Sequence, residues 1–268
     1  MSGEVRVEAA AGCHIFSGCG FPAPGLENFY FKPLFTVGSF GFTKPMLVAV
    51  ICTVLVLAFF AAAFWKPKPV PRGIQNLGEL AILFVRDQIL RPSLGRKGDT
   101  YLPFLVSLFY YIFLMNLMEL IPVIQFPAMS KIGFVVAPVA IVYVLYIYLG
   151  FKNQGAWGYI RNMWPSGVPI FILPILIPIE LLRFFIIQPF TLGIRLFANM
   201  FAGHLLLTIF MVATWYLASL SIGLLFAFGS AVMVLFVFLL ELLVDILQAF
   251  IFTTLTATYI ASSLEPQH

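Results

Sequence analysis

Charge is what this sequence has least of. Only 10% of its 268 residues are Asp, Glu, Lys or Arg, against roughly a quarter in soluble domains. Apolar residues make up 62%, and the mean hydropathy is +1.03. A soluble fold of this length has too little polar surface to hide so much apolar area, which excludes an ordinary cytosolic enzyme. The 15 Lys and Arg are scattered rather than gathered into a stripe, which excludes a nucleic-acid binder. Strict alternation of apolar and polar residues is missing too, and with it the transmembrane β-barrel. There is no GxxxxGK[ST] phosphate loop, and histidines occur only at 14, 204 and 268, so no HExxH zinc motif exists. No cofactor and no metal are expected. Cysteine is scarce: Cys13 and Cys19 lie in the polar N-terminal stretch and Cys52 in an apolar run. A Cys13–Cys19 disulfide and two free thiols both fit that spacing. No apolar signal-peptide core precedes about residue 46. Glu4 and Glu8 beside a lone Arg6 speak against an organelle transit peptide and for a bacterial membrane.

What the sequence does have is hydrocarbon in long runs. Residues 1–43 form a mixed, Gly/Pro-punctuated segment expected on the outer side of the membrane. The first span is Pro45–Trp65, closed by a tryptophan at headgroup level. After a proline-rich basic linker, residues 74–90 place Ile74, Leu77, Ala81, Phe84 and Val85 on one face, predicting an amphipathic helix on the membrane surface. The second span is Tyr101–Phe126, with Asn116 and Glu119 inside it, and the third is Ile132–Phe151. Nine basic residues between 66 and 161 fall on one side of these spans, and Arg6, Lys32, Lys44 and Lys131 on the other. That bias puts the N-terminus outside.

From about Val168 to Ala261 the chain is almost unbroken hydrocarbon, with no proline between 190 and 265. Seventy-odd residues would make about 105 Å of helix, against a hydrocarbon core of about 30 Å. The chain must turn. Glu241 and Gln248, seven apart, share a helix face, with Asp245 close to it. In an antiparallel hairpin, setting Arg195 opposite Gln248 and His204 opposite Glu241 centres the turn near residue 222 in both cases. A Ser/Gly cluster, Ser219–Gly223, lies there. Each arm is then longer than the bilayer is thick and must be strongly tilted. A competing reading breaks the second arm at Gly229-Ser230 and adds a crossing. The preferred reading has five crossings and a cytoplasmic C-terminus.

An ionisable residue in the membrane interior costs about 2.5–3.5 kcal/mol on insertion scales. The chain nevertheless retains Glu119, Glu180, Arg183, Arg195, His204, Glu241 and Asp245 there, with the amides Asn116, Asn199 and Gln248. Most have a purely structural alternative. Asn116 can glue helices, Glu180 and Arg183 can form a local ion pair, Glu119 can sit wet at a span end, and His204 can be a satisfied core residue. Arg195 is harder to dismiss, because apolar runs on both sides leave it nowhere to snorkel. Carboxyls and imidazole pass protons, whereas Arg does not deprotonate. A titratable chain interrupted by a permanent cation amounts to two half-wires, joined only by a partner with its own titratable group.

The segment PFTLGIRLFANMFAGHLL (189–206) resembles the penultimate helix of subunit a of F-type ATP synthases, bacterial type. LLELLVDILQAFIFTTLTATYI (239–260) resembles that family's last helix, and FLMNLMELIP (113–122) its second-span motif. The similarity runs from about residue 44 to the end. It implies an all-α polytopic membrane protein with one amphipathic surface helix and a long, tilted C-terminal hairpin. The segments expected are 1–43 outside, 44–166 with three spans, and 167–268 facing a c-ring. The resemblance also implies that Arg195 is the arginine facing the ring, with Gln248 beside it. His204 and Glu241 match an imidazole–carboxylate pair whose positions are exchanged in some members, and Asn116 and Glu119 match residues of the same outer half-channel. Asn199 matches the motif's asparagine. Asp245 maps to no known role but joins the proton-translocating set, and Thr191 and Glu180 are candidates for the inner half-channel. Where many members carry a basic residue before the proline at 189, this chain has Gln188.

Implied partners are the c-ring, peripheral-stalk b subunits, the lipid bilayer and protons, in a bacterial plasma membrane, with ATP chemistry left to other subunits. A self-contained transporter would usually show two similar halves, and none link 45–151 to 168–261. A membrane hydrolase would need a nucleophile–base pair or a metal motif.

Overall fold

A computed structural model describes residues 20–25, 35–37, 40–121, 128–155, 158–159, 171–218 and 223–264. Helices form where the apolar runs lie, because inside a bilayer every backbone N–H and C=O must be satisfied within its own segment. Two three-residue strands, β1 (Phe35–Val37) and β2 (Phe40–Phe42), pair antiparallel just before the first span. Helix α1 spans Lys44–Phe64, with Pro45 in the first turn, where no N–H partner is required. Trp65 follows it, 78% exposed.

Helix α2 (Ile74–Val85) begins at Gly73, whose φ of 61° only glycine adopts freely. Gln75 ties it to the linker: its side-chain oxygen accepts from the Lys68 N–H at 3.0 Å, and its Nε2 donates to the Lys68 carbonyl at 2.9 Å. The chain continues through a widened π turn (Arg86–Leu90), a short α3 (Arg91–Leu94) and a 3-10 stretch (Gly95–Tyr101) into α4 (Leu102–Leu120). The expected amphipathic helix is therefore present, but its faces are inverted relative to a soluble protein. Gln75, Gly78 and Val85 are buried, while Ile74, Leu77, Leu80 and Phe84 are exposed. With lipid as solvent, apolar side chains can face outward, while the hydrogen-bonding Gln75 and the small Gly78 suit the protein side.

The second span ends as a helix at Leu120, two residues before Pro122; residues 122–127 lie outside the described set. Helix α5 covers Ile132–Gln154 and carries Pro138 within it. Helix α6 (Leu173–Leu182), a second π turn (Arg183–Ile187) and α7 (Gln188–Leu217) follow without a break, and α8 runs Gly223–Leu264. The two π turns share a sequence pattern, RDQILRP at 86–92 and RFFIIQP at 183–189, with Arg first, Ile fourth and Pro seventh. Proline's ring clashes with the carbonyl four residues back, here Gln88 and Phe185. In both places the widened turn contains that residue and lets the helix continue through the proline.

Among the described residues, five helical stretches are long and apolar enough to cross a membrane: 44–64, 74–120, 132–154, 174–217 and 223–264. The protein is an all-α polytopic membrane protein with one small β-hairpin among the described residues. Helix α8 passes through Gly229-Ser230 unbroken, so the reading with an added crossing there fails. α7 ends at Leu217 and α8 starts at Gly223, bracketing the expected turn, of which 219–222 lie outside the described residues. At 42 residues, α8 is about 63 Å long, twice the hydrocarbon thickness. Cys13 and Cys19 lie outside the described residues; Cys52 is a buried free thiol.

The chain divides into two units. The first holds residues 1–50, 115–131 and 197–246, and the second 51–114, 132–196 and 247–268. Met115, Met118, Met129 and Met200 are buried in the first; unbranched thioethers fill irregular gaps around its polar residues. The second has a bulkier interior, with Leu105, Ile112, Tyr146, Leu196, Phe252 and Ile260 almost wholly enclosed. Within it α2 approaches α1 closely at Gly78, where an added Cβ would lie 2.7 Å from Ala63 Cβ and 3.3 Å from the Phe64 ring. Gly78→Leu should therefore cost about 1–3 kcal/mol by overpacking. It should lower the thermal midpoint in detergent, while Gly133→Ala, in open space, leaves the midpoint unchanged or raises it slightly.

Candidate functional site

The first unit gathers the buried acids. Asn116 and Glu119, three apart near the end of α4, project from one face. His204 comes from α7, and Glu241 and Asp245, four apart, from α8. Glu119 Oε1 lies 3.0 Å from His204 Nδ1. Glu241 lies within electrostatic reach of Glu119, His204 and Asp245. Asn116 Nδ2 makes a long 3.5 Å contact to the backbone carbonyl of Asp245. All four acids and amides are at most 5% exposed, and His204 is half-buried. Asn116 Oδ1 and Asp245 Oδ2 have no hydrogen-bond partner. Buried polar atoms left this way are costly unless water or a proton occupies the space between them.

Gly203, which the sequence reading did not single out, makes the cluster possible. A Cβ there would meet the Glu241 carboxylate, so the carboxylate rests on bare α7 backbone one residue from His204. The available signal was a glycine inside an apolar helix beside an ionisable residue.

The second unit holds Arg195, Gln248, Thr191 and Glu180. Arg195 is exposed and, among the described residues, takes part in no ion pair or hydrogen bond. Gln248 is 3% exposed, and its Nε2 has no partner. No hydrogen bond joins the two. Gly193, two residues before Arg195, lets α7 lie against Val135 and Val139 of α5 at 3.5 Å. Glu180 is held by Arg183, Nε to Oε2 2.8 Å, the local ion pair named as its structural alternative. Thr191 donates its hydroxyl to backbone carbonyls of Ile187 at 2.7 Å and Gln188 at 3.1 Å, so its proton is committed to the helix. Asn199, in the first unit, is half-buried without a hydrogen bond among the described residues.

Around the second π turn stands an aromatic group absent from the sequence reading. Tyr146 donates to the Phe184 carbonyl at 3.4 Å, and its ring meets those of Tyr143, Phe184 and Tyr259 at 5.3–5.7 Å. The Tyr259 hydroxyl feels the charge of Arg195 and Arg183. Tyr159 shares a 3.4 Å hydrogen bond with Ser263, and burial pushes its hydroxyl up to about 12, so it stays protonated. Gln154 Nε2 donates to the Ser263 carbonyl at 3.1 Å, tying the ends of α5 and α8. In a ring-rich apolar chain these tyrosines carry no sequence signal that separates them from bulk packing, and Tyr159 lies outside any periodic segment.

Among the described residues no group of three His, Cys, Asp or Glu is arranged to hold a metal ion. The first-unit cluster is instead a set of titratable side chains and one amide brought together from three helices. Its geometry depends on the missing side chain at 203. Gly203→Val should displace the Glu241 carboxylate and separate α7 from α8, destabilising the unit by about 1–3 kcal/mol. The thermal midpoint in detergent should fall in that variant relative to the Gly203 background, and Gly133→Ala, in open space, should leave it unmoved.

Comparison with known proteins bears on what such a set is for. The family model for the ATP synthase A chain matches residues 46–261. The chain is 42% identical over 260 residues to ATP synthase subunit a of Streptomyces lividans, covering 96% of this chain and 92% of that protein. It is 40% identical over 253 residues to the subunit a of Frankia alni, covering 91% and 86%. With the subunit a of Rhodococcus erythropolis it shares 39% identity over 250 residues, covering 91% and 90%. The matched stretch takes in all five membrane-length helices apart from their outermost turns, and the chain belongs to the ATP synthase subunit a family.

Proposed function

We propose that the chain is the proton-conducting stator subunit of the membrane motor of a bacterial F-type ATP synthase. It supplies two offset half-channels that load and unload carboxylates on a c-ring, and so couples proton flow to rotation and ATP synthesis. The observation that carries this reading is the first-unit cluster, with His204 3.0 Å from Glu119 and Glu241 resting on Gly203. Protons enter from the outer side past Asn116 and Glu119 and pass through His204 and Glu241, with Asp245 extending the titratable stripe along α8. They then neutralise a carboxylate on the ring. A neutral site can turn into lipid, where a charged one would be expensive.

Arg195 is the fixed cation between the half-channels. It attracts the returning ring carboxylate, favours its ionisation, and bars direct leakage, since a guanidinium does not give up its proton. Its exposure suits a group whose counter-charge arrives on another subunit. Gln248 and Asn199 supply amides on the same path. Thr191 and Glu180 stay candidates for the inner half-channel, the latter as an Arg183-paired carboxylate. Exposed apolar residues flank Arg195 on α7, among them Phe190 and Ile194, and fit a ring of apolar hairpins. The N-terminus lies outside and the C-terminus in the cytoplasm, with peripheral-stalk b subunits holding the chain against the torque. Each elementary charge crossing 100 mV supplies about 2.3 kcal/mol, so several are pooled for one ATP. This chain performs no ATP chemistry itself.

The test is Arg195→Ala in inverted membrane vesicles. ATP-driven acidification should fall about a hundredfold, the scale of losing a preorganised charge at a reacting centre, with the assembly still intact on native gels. Normal acidification would mean that the cation is structural and would overturn the reading.

A further inference from the structure

Proton transfer makes no use of a groove of about 640 Å³ in the second unit. One wall is Thr100, Tyr101 and Phe104 at the start of α4; the other is the α5 stripe that includes Ile141, Val144 and Tyr148. The size falls in the range of small-molecule sites, about 300–1,000 Å³, and the interior is apolar except at one end.

That end is cationic from both walls. On α5, residues 141, 144, 148 and 152 share a face, so Lys152 terminates the stripe that lines the groove. Its Nζ sits 5.9 Å from the centre of the Tyr148 ring. In the 3-10 stretch Gly95–Tyr101, residues three apart eclipse, which stands Lys97 over the groove-lining Thr100. Consecutive spans run in opposite directions, so the start of α4 and the end of α5 meet at one membrane face. Nearby, Arg86 and Arg91 share the single carboxylate of Asp99, at 3.2 and 3.4 Å, and Arg96 is exposed. Two guanidiniums on one carboxylate leave the rim net positive.

We propose that this groove binds an anionic phospholipid, with one acyl chain between α4 and α5 and the phosphate held by Lys97 and Lys152. A basic pocket between membrane helices is the arrangement that recognises acidic headgroups, and the two tyrosines place hydroxyls at headgroup level. A zwitterionic lipid would bring its own cation toward the lysines. A partner's transmembrane helix would fill the apolar walls but has no need of the two ammonium groups. The site is independent of the proton path and stands or falls without it.

The experiment uses the intact ATP synthase assembly in phosphatidylcholine nanodiscs doped with a phosphatidylglycerol carrying a diazirine in its acyl chain. The matching phosphatidylcholine probe serves as control. The phosphatidylglycerol probe should label peptides containing 100–104 and 140–148, and unlabelled phosphatidylglycerol should compete. Lys97→Gln with Lys152→Gln should weaken that competition roughly tenfold or more, leaving labelling by the phosphatidylcholine probe unchanged. Val144→Trp, which fills the groove, should abolish labelling of both peptides. Equal labelling by the two probes in the unsubstituted protein, or undiminished competition in the double variant, overturns the proposal. So does failure of the phosphatidylglycerol probe to label the groove, including the case where bifunctional reagents join Val144 to another subunit's helix.

Discussion

The cost of holding ionisable groups in hydrocarbon governs this protein. Three carboxyls and an amide are buried in the first unit, with a half-buried imidazole set against one of the carboxyls. Such groups survive only when they touch one another or water. That requirement explains why Glu119 meets His204, why Glu241 needs bare backbone at Gly203, and why α4, α7 and α8 must converge at those residues. Met115, Met118 and Met200 are buried in the same unit, and unbranched thioethers adapt to irregular space.

The same economy of polar contacts shapes the backbone. Prolines at 92 and 189 would ordinarily end a helix, which in lipid would strand carbonyls without donors. The widened turns at 86–90 and 183–187 keep both helices going. At the second, Tyr146 supplies a hydroxyl to the Phe184 carbonyl. Continuity past Pro189 is what carries Arg195 on a helix far longer than the bilayer is thick.

Much of the architecture was legible because hydrophobic length is a strong signal: the spans expected at Pro45–Trp65 and Ile132–Phe151 are helices at Lys44–Phe64 and Ile132–Gln154, whereas the second stretch runs from 74 to 120 and joins the amphipathic segment to the expected span. Helices ending at Leu217 and starting at Gly223 flank the turn expected near residue 222 from pairing His204 with Glu241 and from the Ser/Gly cluster; residues 219–222 themselves lie outside the described set. Other features were not legible, for physical reasons. The inward face of α2 belongs to Gln75 and Gly78, since apolar residues gain nothing by leaving lipid. The π turns were hidden because a proline announces a break, and only neighbouring packing decides whether the helix widens instead. The hydroxyl of Thr191 is bonded to backbone carbonyls of its own helix, a partner that sequence position alone does not announce. Glu180 proved paired with Arg183, the alternative that its spacing had already offered.

The account turns on the acids of the first unit and Arg195 of the second being two parts of one interrupted conduit. The most direct measurement is passive proton leak through vesicles stripped of the soluble head, comparing Arg195→Ala with the same variant also carrying Glu241→Gln. The account predicts a raised leak in the single variant, because the fixed positive barrier is gone, and its suppression in the double variant, because the outer path is cut. A leak unchanged by Glu241→Gln would mean that protons do not travel through the cluster, and would contradict it.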